Sequence, residues 1–294
     1  MFPLYAAITR NVVRQPIGGE FAFDSKMLER FTEVERWSKG WRDFGIDMGM
    51  TITAGTSGEA IGQVVLPRKI NYVGQDARIQ IGDIFVQAGR SLFNGLLDFV
   101  ECNNNLELSK VTSVPTVKPE AVYNNDVKIE LSDSAEVLGA LSKFLILYTS
   151  PAFQSNKNIL GSFCDHIENA YKKFKEHDLS SILKLGNLKA IDEDQKSKVL
   201  KRIQSLDESV FLSAKQWAEI VFKCFKEFQI RRRKNEEKAT TVVIRNVLLC
   251  AFYLRVFSFN VQTYNLPSYP DAEDLLTQQM YEFSKLAKTR VHSI

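Results

Sequence analysis

Hydrophobic and polar positions divide the chain into a mixed first third and a helical remainder. In the first hundred residues, short apolar and β-branched runs at Met48–Thr53 and Ala60–Leu66 predict strands, with a turn between them by composition. Asp24 or Ser25 caps a short predicted helix, and Ile81–Val100 has apolar residues along one helical face. This third of the chain is therefore expected to be of mixed α/β type.

Apolar residues recur at helical spacing through most of the second part of the chain. The loop-forming residues of 101–131 predict a linker, and helices follow it nearly to the end. The last helix is expected to begin at Pro270, and Asp192-Glu193-Asp194 is interpreted as another helix N-terminus. We predict an α/β region at 1–100, a linker at 101–131 and a mainly α-helical region at 132–294, with helix dominating overall.

Composition and charge narrow the class of protein. The 294 residues are 45% hydrophobic and 25% charged with a net charge of +3, which is typical of a globular protein and gives no argument for nucleic acid. The four cysteines are scattered, which predicts neither a zinc site nor disulfides and favours a cytoplasmic location. The apolar run Val242–Phe259 contains Arg245 and Arg255, so we interpret it as a buried helix and expect no membrane span.

Two short motifs in the first part of the chain carry residue types that bind sugars. Pro16 is followed by Ile17, the adjacent Gly18 and Gly19, and Glu20, whose carboxylate could accept hydrogen bonds from sugar hydroxyl groups. Further on, Gly45-Ile46-Asp47 places an acid where it could orient an acceptor hydroxyl. Taken singly, the first motif is explained by a tight turn and the second by an acid that caps local structure.

A third motif follows the second predicted strand. Arg68 and Lys69 stand at the end of the apolar run that begins at Gln63, a position suited to contacts with phosphate or carboxylate groups. The alternative for this pair is an ordinary solvated strand end. The three motifs gain weight from their order along the chain.

This order resembles retaining GT-A-type glycosyltransferases similar to mannosylglycerate synthase and glucosyl phosphoglycerate synthase. The resemblance rests on P-x-G-G-E, then G-I-D, then Q-V-x-L-x-x-K followed by F-V-Q-A-G-R-S-L-F, with support from the apolar segment around Leu248–Phe259. It covers roughly residues 8–99 and 213–288 and leaves the middle of the chain unassigned. Residues 1–100 would then be the acceptor-side half of a GT-A-like catalytic domain, with part of its sheet.

The resemblance implies transfer of a sugar from a nucleoside-diphosphate sugar to a small hydroxylated, glycerate-like acceptor. It implies that Glu20 and Asp47 serve as catalytic residues, and that the substrate is bound by Pro16, Gly18, Gly19, Arg68 and Lys69. A divalent cation, Mg²⁺ or Mn²⁺, would bridge the diphosphate.

The sequence departs from the family at the metal site. Asn71 stands at the position of the family's histidine and is a weaker ligand for a borderline metal, while Pro67 replaces a glycine. The acidic D-x-D motif of the nucleotide-binding half is not found before these segments. We therefore expect activity only when a missing N-terminal half completes the enzyme. The expected partners are a separately encoded N-terminal half or further copies of the chain in a homo-oligomer.

Two alternatives stay open at this point. The chain could be a non-catalytic, truncated remnant that acts as a binding or interaction module. It could also be a helical interaction or nucleic-acid module, whose best feature is the basic run Arg231–Lys234. Because Glu236 and Glu237 follow at once, we interpret that run as a solvated loop between two helices and expect no nucleic-acid partner.

Overall fold

The computed structural model describes residues 2–17, 20–33, 45–64, 77–103, 114–117, 134–180, 192–264 and 269–290. The chain forms two compact units: unit 1 is made of Met1–Lys128 and Phe283–Ile294, and unit 2 of Ile129–Glu282. The described residues are mainly α-helical, and strand is confined to two short segments among them. The prediction that helix dominates is confirmed, whereas the predicted boundaries at residues 100 and 131 stay a prediction.

The described helices of unit 1 pack around α3. Its described elements are α1 (Phe2–Thr9), α2 (Ser25–Thr32), α3 (Ile46–Thr56), β1 (Gln63–Val64), α4 (Ala77–Cys102) and β2 (Thr116–Val117). Helix α3 packs against α1, α2 and α4. Helix α1 is apolar nearly all round, and its Leu4, Tyr5 and Ile8 are fully buried, as are Met48 of α3 and Leu96 of α4. Burial of these side chains supplies the main stabilisation of unit 1.

The two short strands of unit 1 pair in parallel. Gln63 lies opposite Thr116 and Val64 lies opposite Val117. The Gln63 amide also donates to the Pro115 carbonyl at 2.8 Å. The predicted strand at Ala60–Leu66 is thus formed only at its centre within the described residues.

The predicted strand at Met48–Thr53 is wrong, because these residues lie inside helix α3. A short apolar run has the same appearance whether it becomes a buried strand or a buried helix, so periodicity alone does not separate them. Five of the six residues in the run, namely Met48, Gly49, Thr51, Ile52 and Thr53, are buried. Neighbouring helices surround this segment, and their contacts select the helix. Among the described residues, therefore, the predicted GT-A-like sheet of an α/β region is reduced to the β1–β2 pair.

Unit 2 is an assembly of helices with an aromatic core. Its described helices are α5 (Ser134–Thr149), α6 (Pro151–Gln154), α7 (Phe163–Glu176), α8 (Glu193–Gln204), α9 (Ala214–Arg233), α10 (Glu237–Val242) and α11 (Leu249–Tyr264), and α12 (Tyr269–Arg290) begins in it. Helix α11 packs along α5. The ring of Phe174 on α7 lies edge-on to Phe144 of α5 at 5.7 Å and to Phe257 of α11 at 5.3 Å. These T-shaped contacts join three helices through side chains that are fully buried.

Local capping explains where two of these helices begin. The Asp192 carboxylate accepts from the Gln195 amide at 2.7 Å, so the prediction of a helix N-terminus at Asp192-Glu193-Asp194 is confirmed. At α9, Ser213 and Gln216 form a reciprocal capping box. The predicted final helix is also confirmed, with Pro270 in its first turn.

The long apolar segment of unit 2 is helical throughout. Residues Lys238–Tyr264 form a continuous helix of 27 residues that includes a π-helical stretch at Val243–Leu248. By length and composition alone this helix could cross a membrane, but 67% of its most apolar window is buried inside the structure. A core helix meets the same test, and this degree of burial favours our interpretation of Val242–Phe259 as a core helix.

The basic run at the end of α9 differs from its prediction as a loop. Arg231, Arg232 and Arg233 form the last helical turn. Asn235 then adopts φ 57°, and the amides of Asn235 and Glu236 donate to the carbonyls of Arg232 and Arg231 at 2.9 and 3.0 Å. This is a Schellman closure, and cations in the preceding turn favour the helix dipole.

Candidate functional site

The turn that begins at Pro16 is attached to the middle of α3. We call its described part, Pro16–Ile17, the Pro16 turn. The Thr51 hydroxyl donates to the Pro16 carbonyl at 2.8 Å, and the Tyr5 hydroxyl donates to the Thr51 carbonyl at 3.2 Å. Tyr5, Pro16 and Thr51 are all buried. Helices α1 and α3 thus hold the first motif against the second.

Burial also affects the acidity of the tyrosine in this arrangement. It raises the pKa of Tyr5 to about 12 because the phenolate would lose its hydration. Tyr5 is therefore neutral at physiological pH and acts as a hydrogen-bond donor to α3. Its role is structural, because its hydroxyl binds the backbone of Thr51, and it is not a candidate acid or base.

Gln63 connects the third motif to the segment that leads into the Pro16 turn. Its Oε1 accepts from the Arg14 amide at 2.7 Å and its Nε2 donates to the Val12 carbonyl at 3.0 Å. The primary amide therefore binds one backbone acceptor and one backbone donor of residues 12–14. Asn11 adds a link from Nδ2 to the Gly55 carbonyl at 2.8 Å.

These contacts attach the start of the first motif to the helix that carries Asp47, and attach the residues just before that motif to Gln63. The Pro16 turn lies on α3 through Thr51, and the backbone before it lies on Gln63. Nothing in the local sequence requires these three segments to meet, since 35 residues separate Pro16 from Thr51 and 49 separate Arg14 from Gln63. The shared location is a tertiary finding.

Asp47 lies on the same helix as the residue that holds the Pro16 turn. It occupies the first turn of α3, four residues before Thr51, and is half-buried. Residues at this spacing share one face of a helix, so Asp47 lies on the face to which the Pro16 turn is attached. A carboxylate in the first turn is also stabilised by the helix dipole, so its position has a structural reason as well.

Glu20 lies in an exposed, extended segment between the Pro16 turn and α2. The segment ends at Asp24, whose carboxylate accepts from the Met27 amide at 2.8 Å and so caps α2 as predicted. Beside Glu20, the aromatic side chains of Phe21 and Phe23 are 41% and 46% exposed. Phe23 also contacts the ring of Phe31 on α2 edge-on at 5.2 Å. Exposed aromatic rings beside a carboxylate offer an apolar surface next to hydrogen-bond acceptors.

Several candidate residues lie outside the described residues. They are Gly18, Gly19, Arg68, Lys69 and Asn71. Within the described ranges there is no group of three His, Cys, Asp or Glu side chains that could hold a metal ion. The divalent cation and its weak ligand at Asn71 therefore stay predictions.

Sequence reasoning missed the residues that organise this region. Thr51 belonged to the predicted strand, and Gln63 was part of a motif but had no role in it. Phe21 and Phe23 follow Glu20 directly, yet their exposure is not visible in the sequence because aromatic residues are more often buried. The order of the three motifs along the chain was the signal in the sequence that pointed to this region.

Two buried cysteines and one histidine of unit 2 have pKa values shifted by burial. Burial raises the pKa of the Cys224 thiol to about 12 and that of Cys250 well above its usual value, so neither is a ready nucleophile. Burial lowers the pKa of His166, whose Nδ1 lies 3.3 Å from Gln216 Nε2. Both thiols are buried in the core of unit 2.

Comparisons of this chain with family models, with curated proteins and with solved structures find no match.

Proposed function

We propose that unit 1 carries the sugar-binding site of a glycosyltransferase-type protein. The reaction is transfer of a sugar from a nucleoside-diphosphate sugar to a small hydroxylated, glycerate-like acceptor. The observation that supports this proposal is a pair of hydrogen bonds. The Thr51–Pro16 bond attaches the first motif to the helix that begins at the second motif, and the Gln63–Arg14 bond attaches the residues before the first motif to the first residue of the third. If these segments form one binding site, they are expected to lie close together in the folded chain.

In this proposal Glu20 and Asp47 act on hydroxyl groups. The exposed Glu20 carboxylate accepts hydrogen bonds from the sugar, while Phe21 and Phe23 cover an apolar face of its ring. The half-buried Asp47 orients a hydroxyl of donor or acceptor from the α3 face that holds the Pro16 turn. Hydrogen bonds to charged groups contribute about 1.5–3 kcal/mol each, about twice as much as bonds between neutral groups.

Transfer itself requires groups beyond these residues. The resemblance covers only the acceptor side, so transfer would also need a nucleotide-binding half. Mg²⁺ or Mn²⁺ would neutralise the diphosphate leaving group, and Arg68 and Lys69 would lie near the diphosphate or an acidic acceptor. Asn71 would contribute a weak metal ligand.

The first test is sugar binding by the full chain. Saturation-transfer NMR with glucose, mannose and glycerate as probes reports binding without requiring turnover. We expect a signal from at least one of them that is weakened by about tenfold or more in affinity in Glu20→Gln and in Asp47→Asn. Glu29→Gln on the exposed face of α2 and Asp98→Asn on α4 are matched controls that change the same charges elsewhere in unit 1.

The aromatic surface has its own variant pair. Phe21→Ala is expected to weaken binding, whereas Leu28→Ala, which removes another exposed apolar side chain in unit 1, is expected to leave it unchanged. If Glu20→Gln and Asp47→Asn both bind as wild type does, the site assignment is wrong.

The alternative is a non-catalytic module that binds a sugar without transferring it. The replacement of the family's metal-binding histidine by Asn71 favours this alternative. Within the described residues there is also no group of three His, Cys, Asp or Glu side chains that could hold a metal ion. Product formation from a sugar nucleotide, dependent on added Mg²⁺ or Mn²⁺ and on a nucleotide-binding partner, distinguishes transferase from binder. Sugar binding with no transfer under any of these conditions identifies the module.

A further inference from the structure

Unit 2 contains a buried arginine on helix α11. Arg255 is only 5% exposed. Burial lowers its pKa to about 10, so the guanidinium still carries its charge at physiological pH. Burying a charge is costly unless the charge is paired, and arginine is seldom buried without a partner.

Neutral groups provide all of the described contacts of this guanidinium. Its Nε donates to Gln279 Oε1 of α12 at 2.9 Å, and its Nη1 donates to the Leu212 carbonyl at 3.0 Å and to Gln262 Oε1 at 3.5 Å. The ring of Phe259 lies 5.7 Å from Cζ. In the part of the chain that the structure describes, no acceptor binds Nη2 and no carboxylate pairs with Arg255.

The arrangement around Arg255 is otherwise well ordered. On the next turn of α11, the Ser258 hydroxyl accepts from the Leu212 amide at 2.8 Å, so two residues of α11 bind both polar groups of Leu212. The guanidinium plane is thereby held by one backbone carbonyl and two glutamines. Gln262 is exposed and Gln279 is half-buried, so two of the groups that bind the guanidinium reach the surface.

We propose that the Nη2 edge of Arg255 binds a small oxyanion, a carboxylate or a phosphate, which supplies the missing counter-charge. The guanidinium is held in position by its other donors, so the two N–H groups of Nη2 are available for charge-assisted hydrogen bonds to such a group. The amide Nε2 groups of Gln262 and Gln279 are the additional donors nearby. This site lies in unit 2 and does not depend on the sugar site proposed for unit 1.

The test measures oxyanion binding to the full chain. Thermal unfolding and isothermal titration are followed with inorganic phosphate, with acetate, and with chloride at equal ionic strength. We expect saturable binding and a higher melting temperature with phosphate or acetate, but not with chloride. The anion that binds more tightly identifies a phosphate-bearing or a carboxylate-bearing ligand.

A substitution that retains Arg255 avoids the problem of an unfolded variant. Gln279→Glu places a carboxylate 2.9 Å from Nε, where it supplies the counter-charge internally and repels an added oxyanion. We expect this variant to melt at a higher temperature without ligand and to bind the oxyanion at least about tenfold more weakly, which corresponds to 1.4 kcal/mol. Gln278→Glu, on the adjacent exposed position of α12, makes the same charge change as a matched control.

Each outcome of this comparison bears on the proposal. Saturable binding that Gln279→Glu weakens and Gln278→Glu retains supports an oxyanion site at Arg255. Equal stabilisation of wild type and Gln279→Glu by phosphate is a general salt effect and overturns the proposal. Absence of saturable binding of either anion to the wild type overturns it as well, and Arg255 is then a structural tie to Leu212 and Gln279.

Discussion

Close packing around Tyr5 links the stability of unit 1 to its candidate site. A Cβ atom built on Gly55 would overlap the Tyr5 hydroxyl oxygen. That hydroxyl donates to the Thr51 carbonyl, and the Thr51 side chain holds the Pro16 turn. A single added methyl group is therefore expected to disturb both the core and the site.

We predict that Gly55→Ala destabilises the protein by about 1–3 kcal/mol, the usual cost of overpacking a core. Urea unfolding measures the change. Gly139→Ala on α5 is the control, since a Cβ there meets nothing within 4 Å. That variant should be neutral or more stable by up to about 1 kcal/mol, because alanine favours a helix more than glycine does. A Gly55→Ala protein as stable as wild type would show that Tyr5 can move without cost.

Residue chemistry was partly visible in the sequence. Asp47 and Glu20 were candidates by residue type, and Asp24 was recognised as a helix cap, because these properties depend on neighbours in the chain. The burial of Arg255 was not visible, since the sequence shows only a charge that interrupts an apolar run. Its environment depends on Leu212 and Gln279, which come from other helices.

At the scale of elements, the ends of helices are the most predictable features. A cap needs only a few adjacent residues, so Asp24, Asp192 and Ser213 act locally. The end of α9 is also local, because Asn235 and Glu236 donate to carbonyls of the last helical turn. Helix α3 differs because its apolar run is compatible with either structure, and packing against α1 and α4 decides between them.

The Schellman closure after α9 gives a prediction at this scale. Asn235 adopts φ 57°, a conformation that glycine adopts without the steric cost of a Cβ. We expect Asn235→Gly to stabilise unit 2 by about 0.5 kcal/mol and Asn235→Ala to destabilise it by about 1 kcal/mol. Chemical denaturation of both variants checks this prediction, and the same sign for both changes would contradict the left-handed assignment.

At the scale of the whole molecule, both units contain buried groups that must stay protonated. Burial raises the pKa of Tyr5 in unit 1 to about 12 and that of Cys224 in unit 2 to about 12. Both values lie above those of the unfolded chain, so the folded state favours the neutral form. The resulting stability is fully present below the unfolded pKa and is lost as pH rises from about 9 toward 12.

We therefore predict that the free energy of unfolding decreases as the pH rises from about 9 toward 12. Tyr5 alone is expected to cost about 1 kcal/mol at pH 11 relative to pH 8. Urea unfolding at the two pH values measures this loss. Tyr5→Phe should be less stable at pH 8, because the bond to Thr51 is missing, but should lose less on going to pH 11. An equal loss in Tyr5→Phe would assign the alkaline effect to other groups.

By itself the sequence determined the predominance of helix, the positions of most helices in the second part of the chain, and several of their caps. These features depend on periodicity and on contacts between near neighbours, which a sequence displays directly. It also placed three motifs in a recognisable order.

Only the tertiary structure decided that Met48–Thr53 is helical, that the Pro16 turn lies on Thr51, that Gln63 binds residues 12–14, and that Arg255 is buried among neutral groups. Each of these depends on residues far apart in the chain. Their contacts arise from packing, because hydrophobic burial brings elements together without regard to sequence separation, and hydrogen bonds then form between the polar groups that burial has enclosed.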